Sequence, residues 1–358
     1  MKKVVIAVLQ LYKNASGSTR VVLSQIRFFK NQGFEVYIIG DRLDKEMIQQ
    51  EGAKCISVLK WPSTGFLRRK IYNFQAQFFI NRLKPDLVIS HGDLQKGDIL
   101  FLHNCVHLAH ERIYNVSLPT QTEMYKTHTP ILKNKTFKHI VANSFLMKND
   151  LIKRFNYKEN EVSVCYPSYR EAVFFPISKE KRLQIRSDFG LSESDVCIGL
   201  ITSGNFNKRG LNYFVEAAQS LKENKKLKFW LVGKDKPVFD ISPLIHKPGR
   251  NDVESYYHCL DIFVLPAKIE EFGLVASEAM ACGTAVILSP YVGASELADK
   301  DSVLESLDAT SLKLAILNFI NNHERRDKSI RKNLENIKES EEKKIYEHYT
   351  KVFKEYLH

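Results

Sequence analysis

Two glutamates set eight residues apart, Glu270 and Glu278, flank a glycine in the run Leu265-Pro266-Ala267-Lys268-Ile269-Glu270-Glu271-Phe272-Gly273-Leu274-Val275-Ala276-Ser277-Glu278. An apolar strand pattern ends at Leu265, a short loop carries Glu270 and Glu271, and helical spacing begins near Gly273. On one unbroken helix the two carboxylates would lie about 80° apart. With Glu270 in the loop and Glu278 about one turn into the helix, both can face the space beyond the strand ends, where open α/β sheets take their ligands. The amides of Gly273, Leu274 and Val275 lack intrahelical acceptors and suit an anion such as phosphate, and a glycine at 273 permits close backbone approach. The chemistry implied is a diphosphate at the helix start with hydroxyls bound by two carboxylates. The plainer alternative, acids that merely favour the helix dipole, stays open at this point.

The elements that must position these residues alternate. Lys3–Gln10 is a continuous apolar strand pattern, and the small polar loop Lys13-Asn14-Ala15-Ser16-Gly17-Ser18 follows. Thr19–Gln32 carries apolar residues at helical spacing, Gly33 ends it, and Phe34–Gly40 is the next strand. Pro85–Ser90, Asp98–Leu102 and Lys138–Ala142 continue the series, with Asn143-Ser144 as a helix cap. The alternation pauses between Pro167 and Pro176. It resumes with strand Val196–Ile201, loop Thr202–Gly210, helix Leu211–Leu221 and strands Lys226–Val232, Asp261–Leu265 and Thr284–Leu288. Repeated βα units on both sides of a pause predict two doubly wound α/β domains with a cleft between them.

The Glu270-x7-Glu278 spacing, with Phe272-Gly273-Leu274 inside it and Glu278-Ala279-Met280-Ala281-x-Gly283 closing it, resembles the signature of the retaining glycosyltransferases of family 4. The resemblance extends over nearly the whole chain. Ser203-Gly204-Asn205-Phe206-Asn207-Lys208-Arg209-Gly210 is similar to the phosphate-binding loop that opens the family's second domain. Asn143-Ser144 and Tyr166–Pro176 are similar to its inter-domain passage, although Tyr166-Pro167-Ser168-Tyr169 replaces the usual Asn-Gly-Val-Asp. The implied fold is GT-B: a Rossmann-like acceptor domain over 1–172 completed by a C-terminal helix at about 341–358 that crosses back to it, and a nucleotide-sugar donor domain over 173–340.

The resemblance implies a hexosyltransferase-type reaction: a sugar moves from a nucleoside-diphosphate-sugar donor, expected to be a UDP-sugar, to a saccharide or lipid-linked saccharide acceptor. Configuration is kept, and the implied setting is bacterial lipopolysaccharide or surface-glycan assembly. It assigns catalytic roles to Glu270, His103, Lys208 and Arg209. Glu270 bonds the donor sugar's hydroxyls on the face where positive charge develops, while Lys208 and Arg209 neutralise the leaving diphosphate without a metal. The family more often shows Gly-Arg-x…Lys-Gly here, so this chain's Gly204-Asn205 and Arg209-Gly210 shift the basic charge towards the loop's end. Core-lipopolysaccharide glucosyltransferases of the family have a similar Lys/Arg-Gly arrangement. Donor-binding positions carried over are Gly17, Gly204, Gly249, Arg250, Phe272, Gly273, Leu274, Val275 and Glu278, the last for ribose hydroxyls. Glu271, one place off, is not expected to touch the donor. His103 ends a buried strand and is preferred among the histidines, with His91, His107 and His110 as alternatives. No cofactor or metal is expected; Asp299-Lys300-Asp301 spells a D-x-D motif that is read as chance.

Composition narrows the rest. At 358 residues, with 44% hydrophobic and 26% charged residues, the chain is a folded protein rather than a disordered one. No apolar run reaches the roughly 18–20 residues of a membrane span. The six cysteines form no C-x-x-C pair and read as buried thiols. The start, Met1-Lys2-Lys3 before Val4–Leu9, is read as a first strand rather than a signal peptide, which places the protein on the cytoplasmic side. A net charge of 53 − 41 = +12 calls for an anionic partner. Basic residues gather in 126–154 (Lys126, Lys133, Lys135, Lys138, Lys148, Lys153 and Arg154) and in 61–83 (Arg68, Arg69, Lys70 and Arg82). The aromatics interleaved in the second stretch, Phe66, Phe74, Phe78 and Phe79, are expected in the core. The sharper expectation is peripheral attachment to anionic lipid on the inner leaflet. A nucleic-acid-binding protein is the weaker alternative, lacking recognition aromatics or finger spacing. An epimerase or phosphorylase on the same fold is another.

Overall fold

Buried aliphatic runs build the two sheets. The computed structural model describes residues 1–12, 17–62 and 65–357, and in it Val4, Val5, Ile6 and Ala7 are wholly buried, as are Ile262, Phe263, Val264 and Leu265. Strands covered on both faces read as unbroken apolar runs, and both sheets are parallel throughout.

The first half contributes β1 (Lys3–Ala7), β2 (Gln10–Leu11), β3 (Glu35–Gly40), β4 (Arg42–Leu43), β5 (Lys54–Ser57), β6 (Leu87–Ser90), β7 (Gly97–Leu102), β8 (Phe137–Ala142) and β9 (Val162–Val164). Their sheet order is β5-β3-β1-β6-β7-β8-β9, with β2 and β4 paired separately. The helices here are α1 (Gly17–Asn31), α2 (Lys45–Gln50), α3 (Gly65–Leu83), α4 (Val106–Tyr114), α5 (Glu123–Lys133) and α6 (Phe145–Phe155). The second half contributes β10 (Val196–Ile201), β11 (Leu227–Gly233), β12 (Ile245–Pro248), β13 (Ile262–Leu265) and β14 (Ala285–Leu288), in the order β12-β11-β10-β13-β14. Its helices are α7 (Lys179–Asp188), α8 (Leu211–Gln219), α9 (Glu254–Cys259), α10 (Leu274–Ala281), α11 (Ala309–Asn321) and α12 (His323–Asn336). In each sheet the chain runs to one edge and then returns to the other side of its first strand. The reversal lies between β1 and β6 in one sheet and between β10 and β13 in the other. These are the doubly wound topologies of the GT-B fold.

The chain divides into Met1–Ser168 with Glu342–His358, and Tyr169–Glu341. The first crossing thus falls four residues ahead of position 172, because the segment from Tyr169 packs with the second unit. The Tyr169 hydroxyl lies 3.5 Å from the Glu341 carboxylate, and the buried Phe174 ring meets Tyr257 edge-on at 5.8 Å. The last helix, α13 (Glu342–Lys354), returns to the first unit. Its Tyr349 and Phe353 rings pack on Phe28, Phe29 and Phe101, with Phe29 and Phe353 centroids 4.7 Å apart.

Two local expectations are corrected. Gly17 and Ser18 form the first residues of α1 rather than loop, while residues 13–16 lie outside the described ones. The aromatics of α3 are not all core. Tyr72, Ala76 and Ile80 make its buried stripe, whereas Phe74 and Phe78 are 79% and 57% exposed. Tyr72 wins the inward face because its hydroxyl can reach the Ile39 carbonyl at 3.1 Å, and the four-residue spacing carries Ala76 and Ile80 with it. All six cysteines are free, and among the described residues no helix is long and apolar enough to cross a membrane.

Burial pushes His103, His128, His258 and His348 down to about 4. The unfolded chain titrates these groups near 6.5, so between the two values it binds more protons than the native state, and stability rises with pH. The thermal midpoint is therefore expected to be level above about pH 7 and to fall steadily as pH drops from about 6.5 towards 5. Melting curves across that range test it: a midpoint unchanged between pH 7 and 5 would refute burial of these histidines in the neutral form.

Candidate active site

The second unit's candidates meet at the C-terminal ends of β10 and β13, the point where its sheet reverses. After β10, the Thr202 hydroxyl donates to the Gly204 carbonyl at 2.9 Å. Gly204 has φ +130° and Asn205 has φ +52°, and a Cβ at Gly204 would strike the Asp235 carboxylate. The loop ends at Gly210, with φ +67° and no room for a Cβ because the Pro266 carbonyl oxygen lies there. One hydrogen bond ties the backbones further: the Lys268 amide donates to the Lys208 carbonyl at 2.9 Å. The Lys268 ammonium adds a bond to the Asn207 side-chain oxygen at 2.7 Å. The loops after β10 and β13 are therefore one seam.

That seam fixes two cations against two acids. The Lys208 ammonium lies 2.6 Å from a Glu271 carboxylate oxygen, with the two side chains 15% and 8% exposed. The Arg209 guanidinium meets the Glu270 carboxylate. Burial pulls Arg209 below its ordinary value, with the Glu271 charge acting the other way. Glu270 is anchored from behind by its own backbone: its amide donates to Tyr291 at 2.9 Å and its carbonyl accepts from Gly293 at 2.9 Å. Phe272 is buried, and its carbonyl accepts from Ala294 at 2.7 Å, so it anchors the loop from within.

Gly273 caps α10 with φ +96°, and a Cβ there would sit 3.0 Å from Val292 and 3.1 Å from the Glu270 side chain. The first amides of α10, at Leu274 and Val275, follow directly and have no acceptor within the helix. Glu278 is buried one turn on, and its carboxylate accepts from the Tyr257 hydroxyl at 3.0 Å. Glu271, set aside in the sequence, is thus the partner of Lys208. The signal available for it was the pair of acids opposite a pair of bases in loops that follow strands.

Gly249 and Arg250 follow β12 at the sheet edge. The Gly249 amide donates to Gly233 at 3.1 Å. Arg250 makes two bonds to Asp252, at 2.8 and 2.9 Å, and lies over the Phe189 ring.

Gly17 and His103 belong to the first unit. His103 follows β7 and lies 2.7 Å, nitrogen to nitrogen, from His91, which follows β6. His107 is buried and bonded to the Thr129 hydroxyl at 2.9 Å, and His110 to the Val116 carbonyl at 3.0 Å. The D-x-D acids serve structure: Asp299 pairs with Lys332 at 3.0 Å and accepts from the Asp301 amide, and Asp301 pairs with Arg325 at 2.6 Å.

Comparison with known proteins gives two family matches: Glycosyltransferase Family 4 over residues 15–169 and Glycosyl transferases group 1 over residues 197–322. An uncharacterised glycosyltransferase of Methanocaldococcus jannaschii is 25% identical over 171 residues, which is 44% of this chain and 44% of that protein. A D-inositol 3-phosphate glycosyltransferase of an Arthrobacter species is 27% identical over 177 residues, 44% of this chain and 40% of its own. The chain spans about half the length, or less, of such curated relatives. Among solved structures, WaaG, a glycosyltransferase involved in lipopolysaccharide biosynthesis, superposes with a TM-score of 0.78 at 16% identity, covering 98% of this chain and 99% of its own. HepE of Anabaena, solved in complex with UDP, gives 0.76 at 15% identity, covering 99% and 100%.

The seam has a direct test. Gly210→Ala must move the Pro266 backbone and is expected to cost about 1–3 kcal/mol beyond the left-handed backbone term, with loss of any ligand held by Lys208 and Arg209. Gly190, with φ +76° and nothing within 4 Å of its Cβ position, is the control: Gly190→Ala should cost about 1–2 kcal/mol, the left-handed backbone term alone. Denaturant unfolding of both variants, with equal losses in the two, would show that the seam bears no load.

Proposed function

The chain belongs to the glycosyltransferases of family 4, and from that premise we propose that it transfers a hexose from a UDP-sugar to a saccharide or lipid-linked saccharide acceptor, with retention of anomeric configuration. The observation that carries this reading is the seam. It holds Lys208, Arg209, Glu270 and the start of α10 together at the reversal point of one sheet.

A leaving diphosphate carries the charge that must be stabilised as the glycosidic bond breaks. Two cations and the α10 amides are fixed donors for it, aimed before the substrate arrives. Glu270 then exchanges part of its interaction with Arg209 for hydroxyls of the transferred sugar. Glu278, whose carboxylate accepts from Tyr257, is the residue assigned to the ribose hydroxyls in this reading. No resident metal has a task in this scheme, because Lys208 and Arg209 occupy that role. UDP is preferred as the leaving group by analogy with the UDP complex of HepE. Surface-glycan or lipopolysaccharide assembly is preferred by analogy with WaaG.

The acceptor's setting is a membrane surface on the inner leaflet. Much of the basic charge in the first unit is internally paired: Arg68 with Asp41, Arg69 with Glu123, Arg154 with Glu111, Lys138 with Asp98 and Lys148 with Glu159. What supports lipid contact is the outer side of α3, where exposed Phe74 and Phe78 accompany the exposed Lys70 and Arg82 on a helix with no acidic residue.

Three outcomes are expected. Thermal-shift screening against UDP-, GDP- and ADP-sugars should single out UDP-sugars. Glu270→Ala and Arg209→Ala should each lower turnover by about 10²–10³-fold or more with melting curves within a few degrees of the parent and no restoration by added Mg2+; full activity in both would end the assignment. Phe74→Glu should weaken flotation with anionic vesicles at low salt while leaving UDP binding unchanged, and equal flotation of parent and variant would remove α3 from the membrane contact.

A further inference from the structure

Three polar side chains in the first unit form a hydrogen-bonded chain. Gln25 lies wholly buried in α1, His91 is 9% exposed after β6, and His103 is half-buried after β7. His91 Nε2 lies 2.9 Å from Gln25 Oε1, and His91 Nδ1 lies 2.7 Å from His103 Nε2. The imidazole rings are 12° from parallel, and the Phe101 ring covers His91. His103 also lines a recess with Ser24, Asn143 and Cys165. A role for His91 does not follow from the ordinary needs of the core, since an aliphatic side chain would fill the space without needing two partners.

The chain has a direction. A carboxamide oxygen only accepts, so His91 Nε2 carries the proton. Burial keeps both rings neutral, with His103 pushed down to about 4 and His91 below its usual range. A neutral His91 has no second proton, so its Nδ1 is a lone pair and His103 Nε2 must be the donor. That leaves His103 Nδ1 bare. The Gln25 amide nitrogen is buried with no hydrogen-bond partner among the described residues, so the amide is held through its oxygen on His91.

We propose that Gln25 and His91 are positioning residues that hold His103 in the Nε2–H tautomer, so that its Nδ1 is presented as a hydrogen-bond acceptor to a hydroxyl of the transferred sugar. The sugar rests on the glycosyl-transfer reading above; the tautomer rests on the hydrogen-bond geometry and on the burial that keeps both rings neutral. The consequence is selectivity. A bare nitrogen accepts from a hydroxyl and gives nothing to a carboxylate, so the site favours neutral hexoses over uronic acids at that position.

Nitrogen-15 spectra of histidine-labelled protein read the tautomer directly. In the free protein, His103 is expected to show a protonated Nε2 and a bare Nδ1. His91→Phe should lose that single tautomer, whereas His91→Asn, which keeps an acceptor oxygen, should retain it. If His91→Phe does not fold, Gln25→Leu removes the terminal acceptor and serves in its place. A protonated Nδ1 in the parent, or an unchanged His103 signal in a folded His91→Phe, overturns the relay. Calorimetry supplies the sugar arm: in His91→Phe, UDP-glucose should bind about tenfold more weakly, the loss of one hydrogen bond, with UDP affinity unchanged. Equal losses for UDP and UDP-glucose would show a merely structural role. If neither ligand binds the parent, the donor reading fails, while the spectra of the free protein still decide the relay.

Discussion

The contact on which the site depends is between two backbones: Gly210 lies against the Pro266 carbonyl, with the Lys268-to-Lys208 amide bond beside it. Side-chain geometry at a sheet's end is only as good as the loops that carry it, and loops are the least determined part of a doubly wound fold. Here the loop after β10 and the loop after β13 are held as one piece, so Lys208, Arg209, Glu270 and Glu271 keep fixed relations even though they come from separate βα units. A residue with a side chain at 210 would push the two loops apart. The glycine is required by contact as well as by its positive φ.

Two acids and two bases packed together in this way are not placed for stability. Desolvating an ion pair costs much of what the attraction returns, and an aliphatic pair would hold the loops as well. What the arrangement supplies is pre-orientation. The cations are aimed and partly dehydrated by carboxylates that an incoming anion can replace, so little reorganisation remains when charge develops on a leaving group. The same reasoning explains why the second acid matters: with Glu271 on Lys208, Glu270 is left to share Arg209 and is free to turn part of its capacity to another ligand.

Legibility from the sequence followed the physics of each feature. The β13–loop–α10 unit could be read because an apolar run, an acid-bearing loop and a helix-opening glycine each leave a local mark. The unit boundary near Ser168 was missed by four residues because Tyr169 and Phe174 reveal their partners only through non-local packing. Exposed Phe74 and Phe78 were hidden for a related reason. The inward stripe of α3 includes Ala76, the least conspicuous apolar residue, and bulk alone points to the wrong face. The Glu271–Lys208 pair and the Gln25–His91 bond join residues 63 and 66 positions apart, and the His91–His103 contact joins the ends of two neighbouring strands. Nothing in the spacing of single residues encodes such pairings; strand order creates them.

Charge shows where local and global descriptions part. Each internal ion pair removes one base and one acid from the near field, yet the excess of 53 basic over 41 acidic side chains is untouched by pairing. At distances beyond about a Debye length the surroundings feel net charge, screened by salt; within that length they feel the particular groups that remain exposed. Attraction to an anionic surface is therefore a property of the whole chain and fades with ionic strength, whereas the orientation adopted on that surface is set by short-range apolar contact. On the first unit the exposed rings of α3 are among the side chains able to make that contact, with Leu59, Trp61, Tyr114 and Met124 exposed as well, so an orientation set by such contact should persist at salt concentrations where long-range attraction has already been lost.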